Sequence, residues 1–449
     1  MSTGQPQAWG AQFSTGTGIA NSSAPSAGLT AAESRMNACL RTIGALLLSG
    51  ICASDLTAQR ADSRKAGPRG AGGTQLQDPY TEGQPAALER LRYVRFGPFA
   101  LGTYHGTKEV DALVGGGGMT WIETEHFKIG AQLPPLELRG MNRATREKLK
   151  KEVDALRPRL AGVPAELTEL DPWLRSHVLA ARCEEIYRDF QELIGFTDRD
   201  FPMRPRGVRV DDSFMGLGPY LGQSQKYTVL IFERASDQRR YASEYLGIDV
   251  EWPQRYSLGH DQSILFATAL DYEGNLFDDT ALHVHLTYNL VYNFCDGFRS
   301  FLFETPVWFK CGLAQSLARR IDDRFPQYDR PPTRRADARP DGKWAPRALG
   351  LVKNDSAKPF AEMQALRDFG DFKFHDYVLA WSRAEFLLQR SKVGVARYLF
   401  RLKAPVSVQI GTNDWAAIVA QEARALEEGF GFETPEEFDA AWAAWVKGN

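Results

Sequence analysis

The segment Lys226-Tyr227-Thr228-Val229-Leu230-Ile231-Phe232 is β-branched or aromatic almost throughout and apolar on both alternating faces. Such a run reads as a strand in the interior of a sheet, because an exposed face would show polar residues at every second position. The rest of the chain therefore has to supply neighbouring strands and the layers that cover them. Arg92-Tyr93-Val94-Arg95-Phe96 alternates with the two-residue period of a strand. After an interruption at Gly115 to Gly118, Trp121 to Ile129 reads as one extended strand with Trp121, Glu123, Glu125, Phe127 and Ile129 on a common side. Ser263-Ile264-Leu265-Phe266-Ala267-Thr268 is a further strand, placed at the sheet edge.

Helices are announced by their ends. Asp171-Pro172 joins a side-chain cap to a proline at the first helical position, and Leu174, Val178 and Ala181 follow a 3.6-residue period up to about Leu193, before Gly195. His177, inside this helix beside apolar neighbours, reads as a packed structural histidine. A second helix is expected over Asp237 to Tyr245. Asp278-Asp279-Thr280 caps a long one, Ala281 to about Phe298. Tyr377 to Leu388 is amphipathic, and Trp415 to Leu426 is helical. Thr434-Pro435-Glu436-Glu437 forms a capping box ahead of a core-facing stripe of Phe438, Trp442 and Trp445. The Pro- and Arg-rich stretch from Arg324 to Pro359 reads as a long solvated loop. The expected class is α+β: a small mixed sheet with a long central helix over 91–300, then a mainly helical part over 301–449.

Ahead of this lies text of another kind. Residues 1–35 are rich in Ser, Gly, Thr, Ala and Pro and too poor in apolar groups to offset chain entropy, so they read as a disordered leader. From Met36 a short segment with Arg41 leads into the apolar run Ile43 to Ala53, and small residues follow. Residues 36–58 thus have the build of a signal peptide, the alternative being a short buried helix; the run is too short to span a bilayer. This predicts an extracytoplasmic protein, periplasmic or secreted, with no integral membrane span. Residues 59–90 read as linker. Cys183, Cys295 and Cys311 would remain after cleavage, with no CxxC spacing and no disulfide framework. With 54 basic against 56 acidic residues the chain lacks the basic excess that phosphate backbones require, so no nucleic-acid partner is expected.

The order of these elements, followed by Trp308-Phe309-Lys310-Cys311-Gly312-Leu313-Ala314, resembles the peptidase MA-like, gluzincin-type zinc metallopeptidases. More narrowly, it is similar to an uncharacterised bacterial domain family of that layout. The Tyr377 to Leu388 helix and the ending Gly431-Phe432-Glu433-Thr434-Pro435 agree, and the likeness covers roughly residues 120–446. In active members, the resemblance implies, the long helix carries HExxH and the later segment reads W-x-x-E-G-L-A. Two histidines four apart on one helix face hold zinc, the Glu between them takes a proton from the metal-bound water, and the later Glu is the third ligand.

Here the motif is degenerate in every frame. From His283 the Glu and second His positions hold Val284 and Thr287; from His285 they hold Leu286 and Asn289; the frame that best fits the apolar residues places Val284, His285 and Tyr288 there. Cys311 stands at the third-ligand position in all of them. On a helix His283 and His285 point ~200° apart and cannot chelate one ion. A substituted zinc site using one of these histidines with Cys311 and Glu304 or Asp296 stays open chemically, as does Cys311 acting as a nucleophile beside a histidine; the blander reading of Cys311 is a buried, inert thiol. The reading is a catalytically inactive metallopeptidase-like protein, without metal or cofactor, that binds or scaffolds an extended peptide or another protein along the Ile264 to Thr268 strand. The alternative is an active hydrolase with a substituted metal site or a Cys and His pair.

Overall fold

A computed structural model describes residues 77–448 except 115–117, 205–213, 260, 273–275, 304, 330–342 and 405–414. The leader, the signal-peptide segment and the linker up to residue 76 lie outside the described residues, as do Gly115 to Gly117, Glu304 and the Arg330 to Arg335 stretch.

In chain order the elements are α1 (Pro85–Leu91), β1 (Tyr93–Phe96), α2 (Thr107–Leu113), β2 (Thr120–Thr124), β3 (Phe127–Ala131), β4 (Leu136–Glu137), α3 (Arg143–Leu156), β5 (Glu169–Leu170) and α4 (Pro172–Ile194). Then come β6 (Tyr227–Phe232), α5 (Ala235–Tyr241), β7 (Gln254–Leu258), β8 (Ser263–Ala269), α6 (Asp279–Gly297) and α7 (Val307–Arg319). The remainder is helical: α8 (Trp344–Lys353), α9 (Phe360–Gln364), α10 (Phe374–Arg390), α11 (Lys392–Leu402), α12 (Trp415–Phe430) and α13 (Pro435–Gly448). The chain is thus a mixed α/β protein with a small mixed sheet and a helical C-terminal region, the class expected from its sequence.

The sheet runs β1-β2-β3-β6-β8-β7, with β3, β6 and β8 parallel and β7 antiparallel to β8. The apolar run sits inside it as β6, every residue buried. One face packs Ile129, Val229, Ile231 and Phe266 against α4 and α6; the other packs Trp121, Leu230, Phe232 and Leu265 against α2 and α5. Asp171 caps α4 through the Trp173 and Leu174 amides, and Gly195 ends it in the left-handed conformation. Buried His177 bonds the Tyr93 hydroxyl and the Asp78 carboxylate, at 3.1 and 3.2 Å.

Several expectations are corrected. Trp121 to Ile129 is not one strand but the β2–β3 hairpin: the Phe127 amide donates to Thr124 Oγ1 and closes a turn at Glu125-His126. Glu123 is tolerated inside because Lys226 and Arg95 pair with it at 2.8 and 2.7 Å. The strand over 263–269 is not an edge; β7 lies outside it, so among the described residues β7 is the edge strand on that side and β1 the one on the other. Structure starts before residue 91, with Asp78, Tyr80 and Thr81 buried and α1 beginning at Pro85. The stretch read as a loop up to Pro359 contains α8, whose Trp344 is buried beneath the Arg319 guanidinium. The helix expected over 237–245 starts at Ala235 and changes at Ala242 to a π-helical turn ending at Leu246.

The Gly312 of the Gly-Leu-Ala segment has a packing reason. α7 and α10 cross so closely that a Cβ on Gly312 would overlap the Ala380 carbonyl oxygen, a backbone atom that cannot swing aside. Gly312→Ala is expected to cost ~1–3 kcal/mol by overpacking. Gly350→Ala, in α8 with open space around it, should instead stabilise by ~0.5–1 kcal/mol. Urea denaturation of the two variants checks the contrast in sign.

Candidate functional site

A cleft of about 280 Å³ opens between α6, the start of α7, the N-terminal end of β7 and the segment Gln327 to Asp329. The degenerate motif lies along one wall of it. His285 is fully buried, with Nδ1 2.7 Å from Gln327 Oε1 and Nε2 3.2 Å from Thr268 Oγ1. Burial, opposed by the Gln327 bond and aided by the Arg255 charge, brings its pKa down to about 4, so the ring is neutral.

One turn on, the Tyr288 hydroxyl is 3.1 Å from both carboxylate oxygens of Asp329 and 3.6 Å from Cys311 Sγ. Burial, reinforced by the Asp329 charge, pushes the Tyr288 hydroxyl and the Cys311 thiol well up, and both stay protonated. Arg255 reaches in from β7. Its guanidinium donates to Asp329 at 2.5 Å and to Asn289 Oδ1 at 2.7 Å, and lies 3.9 Å from the Tyr292 ring centroid. Asn289 in turn donates to the His285 carbonyl at 2.8 Å.

Tyr288, Asn289, His285 and Cys311 are thus brought together, and His283 and Val284 are not. Val284 is wholly inside the core. His283 turns toward α3 and α4, with Nδ1 3.9 Å from Glu152 and without a hydrogen bond. Burial, with Arg182 and Lys148 nearby, takes its pKa down to about 2. The two histidines occupy different sides of α6, as a helix requires.

The residues present do not fit the zinc that the metallopeptidase likeness implies. A phenol and an amide, Tyr288 and Asn289, stand where the likeness calls for histidine, the Asp296 carboxylate is held by Lys310 at 2.8 Å, and a permanent guanidinium cation, Arg255, is bonded to Asn289 and Asp329. A divalent ion there would have to displace that guanidinium from the Asp329 carboxylate, its partner at 2.5 Å. Cys311 has no imidazole hydrogen-bonded to it among the described residues, so nothing there would draw off its proton.

Sequence reasoning missed Arg255, Asp329 and Gln327. Arg255 belongs to a strand too polar to be noticed, and Asp329 and Gln327 fell in the stretch taken for solvated loop, although the Asp329 side chain is 1% exposed.

A smaller cleft of about 190 Å³ sits at the other end of β7, lined by Tyr104, His105, Glu244, Tyr245, Leu258 and Asp261. The described residues include no helix long and apolar enough to cross a membrane. No family model, no curated protein and no solved structure matches the chain.

Proposed function

We propose that this chain is a catalytically inactive relative of the zinc metallopeptidases, acting outside the cytoplasm as a binding or scaffold domain for an extended peptide segment of another protein. The observation that carries the reading is the ion pair of Arg255 with Asp329, locked to Tyr288 and Cys311 where the likeness calls for metal ligands. Export rests on the build of residues 36–58.

The edge strand supplies a means of binding. β7 has β8 on one side only, so its other side can pair an added strand. Arg255 lines the larger cleft and Leu258 the smaller one. Three residues apart on a strand, they point to opposite faces and lie ~10 Å apart. A peptide laid along β7 would set one side chain into each cleft, its anchors also three apart.

The test is metal analysis and binding on protein never exposed to nickel resin or chelator. The expected results are no peptide cleavage, no zinc that depends on Cys311, and capture of extended peptides from a random library. Trp252→Ala, which removes an exposed aromatic from the cleft rim, should weaken capture about tenfold at unchanged stability. Zinc that disappears in Cys311→Ala, or cleavage abolished by chelator, overturns the proposal.

A further inference from the structure

Away from the cleft, the turn between β2 and β3 presents Glu125 and His126 side by side, and Asp198 approaches from the short 3-10 helix Asp198–Asp200. Among the described residues this is the one group of three or more His, Cys, Asp or Glu with a ligand atom from each gathered within 4.8 Å. We propose that it is a binding site for a divalent transition-metal ion, with His126 Nε2 and the carboxylates of Asp198 and Glu125 as ligands.

The argument rests on how the ligands are held from behind. Glu184, on α4, accepts from the His126 backbone amide at 3.1 Å and bonds Nδ1 at 2.6 Å. The ring lies flat on Tyr187, centroids 4.0 Å apart and planes 18° apart. Position and tilt of the imidazole are thereby fixed, and Nε2 points at Asp198 Oδ2, 3.0 Å away. A carboxylate on the far nitrogen is the usual support of a metal-ligating histidine, since it both orients the ring and raises its basicity.

Asp198 is supported in the same way. Its Oδ1 accepts from Gln191 Nε2 at 2.7 Å and from the Tyr187 hydroxyl at 3.3 Å, which leaves Oδ2 turned to His126. Glu125 is the adjustable member: it pairs with exposed Arg92 at 2.8 Å, a contact worth little in water. Ligand atoms within 4.8 Å need only a small contraction to share an ion at ~2.0–2.2 Å.

One imidazole and two carboxylates suit zinc, cobalt or nickel better than calcium or magnesium. The Asp198 and Glu125 side chains are 40% and 42% exposed, which leaves an open side for water ligands and for entry. An ion there would replace the proton shared by Nε2 and Asp198, releasing it to solvent, and would tie the β2–β3 hairpin to the end of α4.

The experiment is titration of the metal-stripped full chain with Co2+, followed by its visible absorption, and with Zn2+ by calorimetry. One equivalent is expected to bind, weakened at least tenfold by Asp198→Asn and by Glu125→Gln and unchanged in Cys311→Ser. Both weakening variants alter half-exposed side chains, so folding is retained, and circular dichroism verifies it. Absence of binding up to millimolar metal, or binding indifferent to both variants, overturns the site. Binding lost in Cys311→Ser also overturns it, and by placing the metal at the degenerate motif overturns the inactive-enzyme reading as well; failure at Asp198 alone leaves that reading intact.

Discussion

Asp329→Ala is expected to destabilise the fold by ~3–5 kcal/mol, the cost of leaving a buried charge without its partner. The Asp329 side chain is 1% exposed and that of Arg255 15%, so water in the cleft can take over only a small part of the lost interaction. The Tyr288 hydroxyl loses an acceptor at the same time. Removing both charges is a different experiment. In Arg255→Met/Asp329→Leu no ion is stranded, and most of the loss should be recovered, because a buried pair is often no better than apolar side chains of similar volume. Urea unfolding of Arg255→Met, of Asp329→Leu and of the double variant closes a double-mutant cycle with a coupling of several kcal/mol. A cost below ~1 kcal/mol for Asp329→Ala would mean that the guanidinium reaches water, and the Arg255 and Asp329 pair could then not be what fills the motif positions.

What the sequence made legible, and what it hid, follows from the range of the forces involved. β6, α4 and α6 were readable because their signals are local: Tyr227 to Phe232 is continuously apolar, Asp171 and Asp278 cap their helices within three residues, and Gly195 ends one. Tyr288 and Cys311, both singled out from the sequence as candidate positions, lie 3.6 Å apart.

β7 was not readable. Gln-Arg-Tyr-Ser-Leu carries little apolar alternation, since an edge strand that is only half covered needs none, and polar edges deter unwanted pairing. The hairpin at Glu125-His126 was hidden for a related reason. Its turn has no glycine or proline and is closed by Thr124, while Glu184, 58 residues further along, fastens His126. Arg255 meets Asn289 and Asp329 across 34 and 74 residues. Contacts at such separation leave no periodic trace, and a charged residue looks the same in sequence whether it faces water or a buried partner.

Acidification should reveal three buried groups through the slope of stability between about pH 5 and pH 6. His283, down to about 2, and His285, down to about 4, are neutral in the fold and take up protons on unfolding, because their ordinary pKa is 6.5. Each therefore lowers stability by about 1.4 kcal/mol per pH unit as pH falls below 6.5. Glu422 works the other way. Burial, opposed by hydrogen bonds from Trp308 and Tyr398, raises its carboxyl to about 7, so it is protonated in the fold and ionised when unfolded. Falling pH then favours the folded state by the same amount per unit. His126, raised to about 9 by Asp198 and Glu184 against burial, is charged in both states in this window and is silent there. Two losses against one gain leave these three groups with a net fall of about 1.4 kcal/mol per unit. His283→Leu removes one loss and should make the profile shallower by about 1.4 kcal/mol per unit, while Glu422→Gln removes the gain and should steepen it by about as much. Because contributions from other carboxylates cancel in these differences, equal slopes for the three proteins in urea unfolding would show that the two side chains are hydrated in the fold.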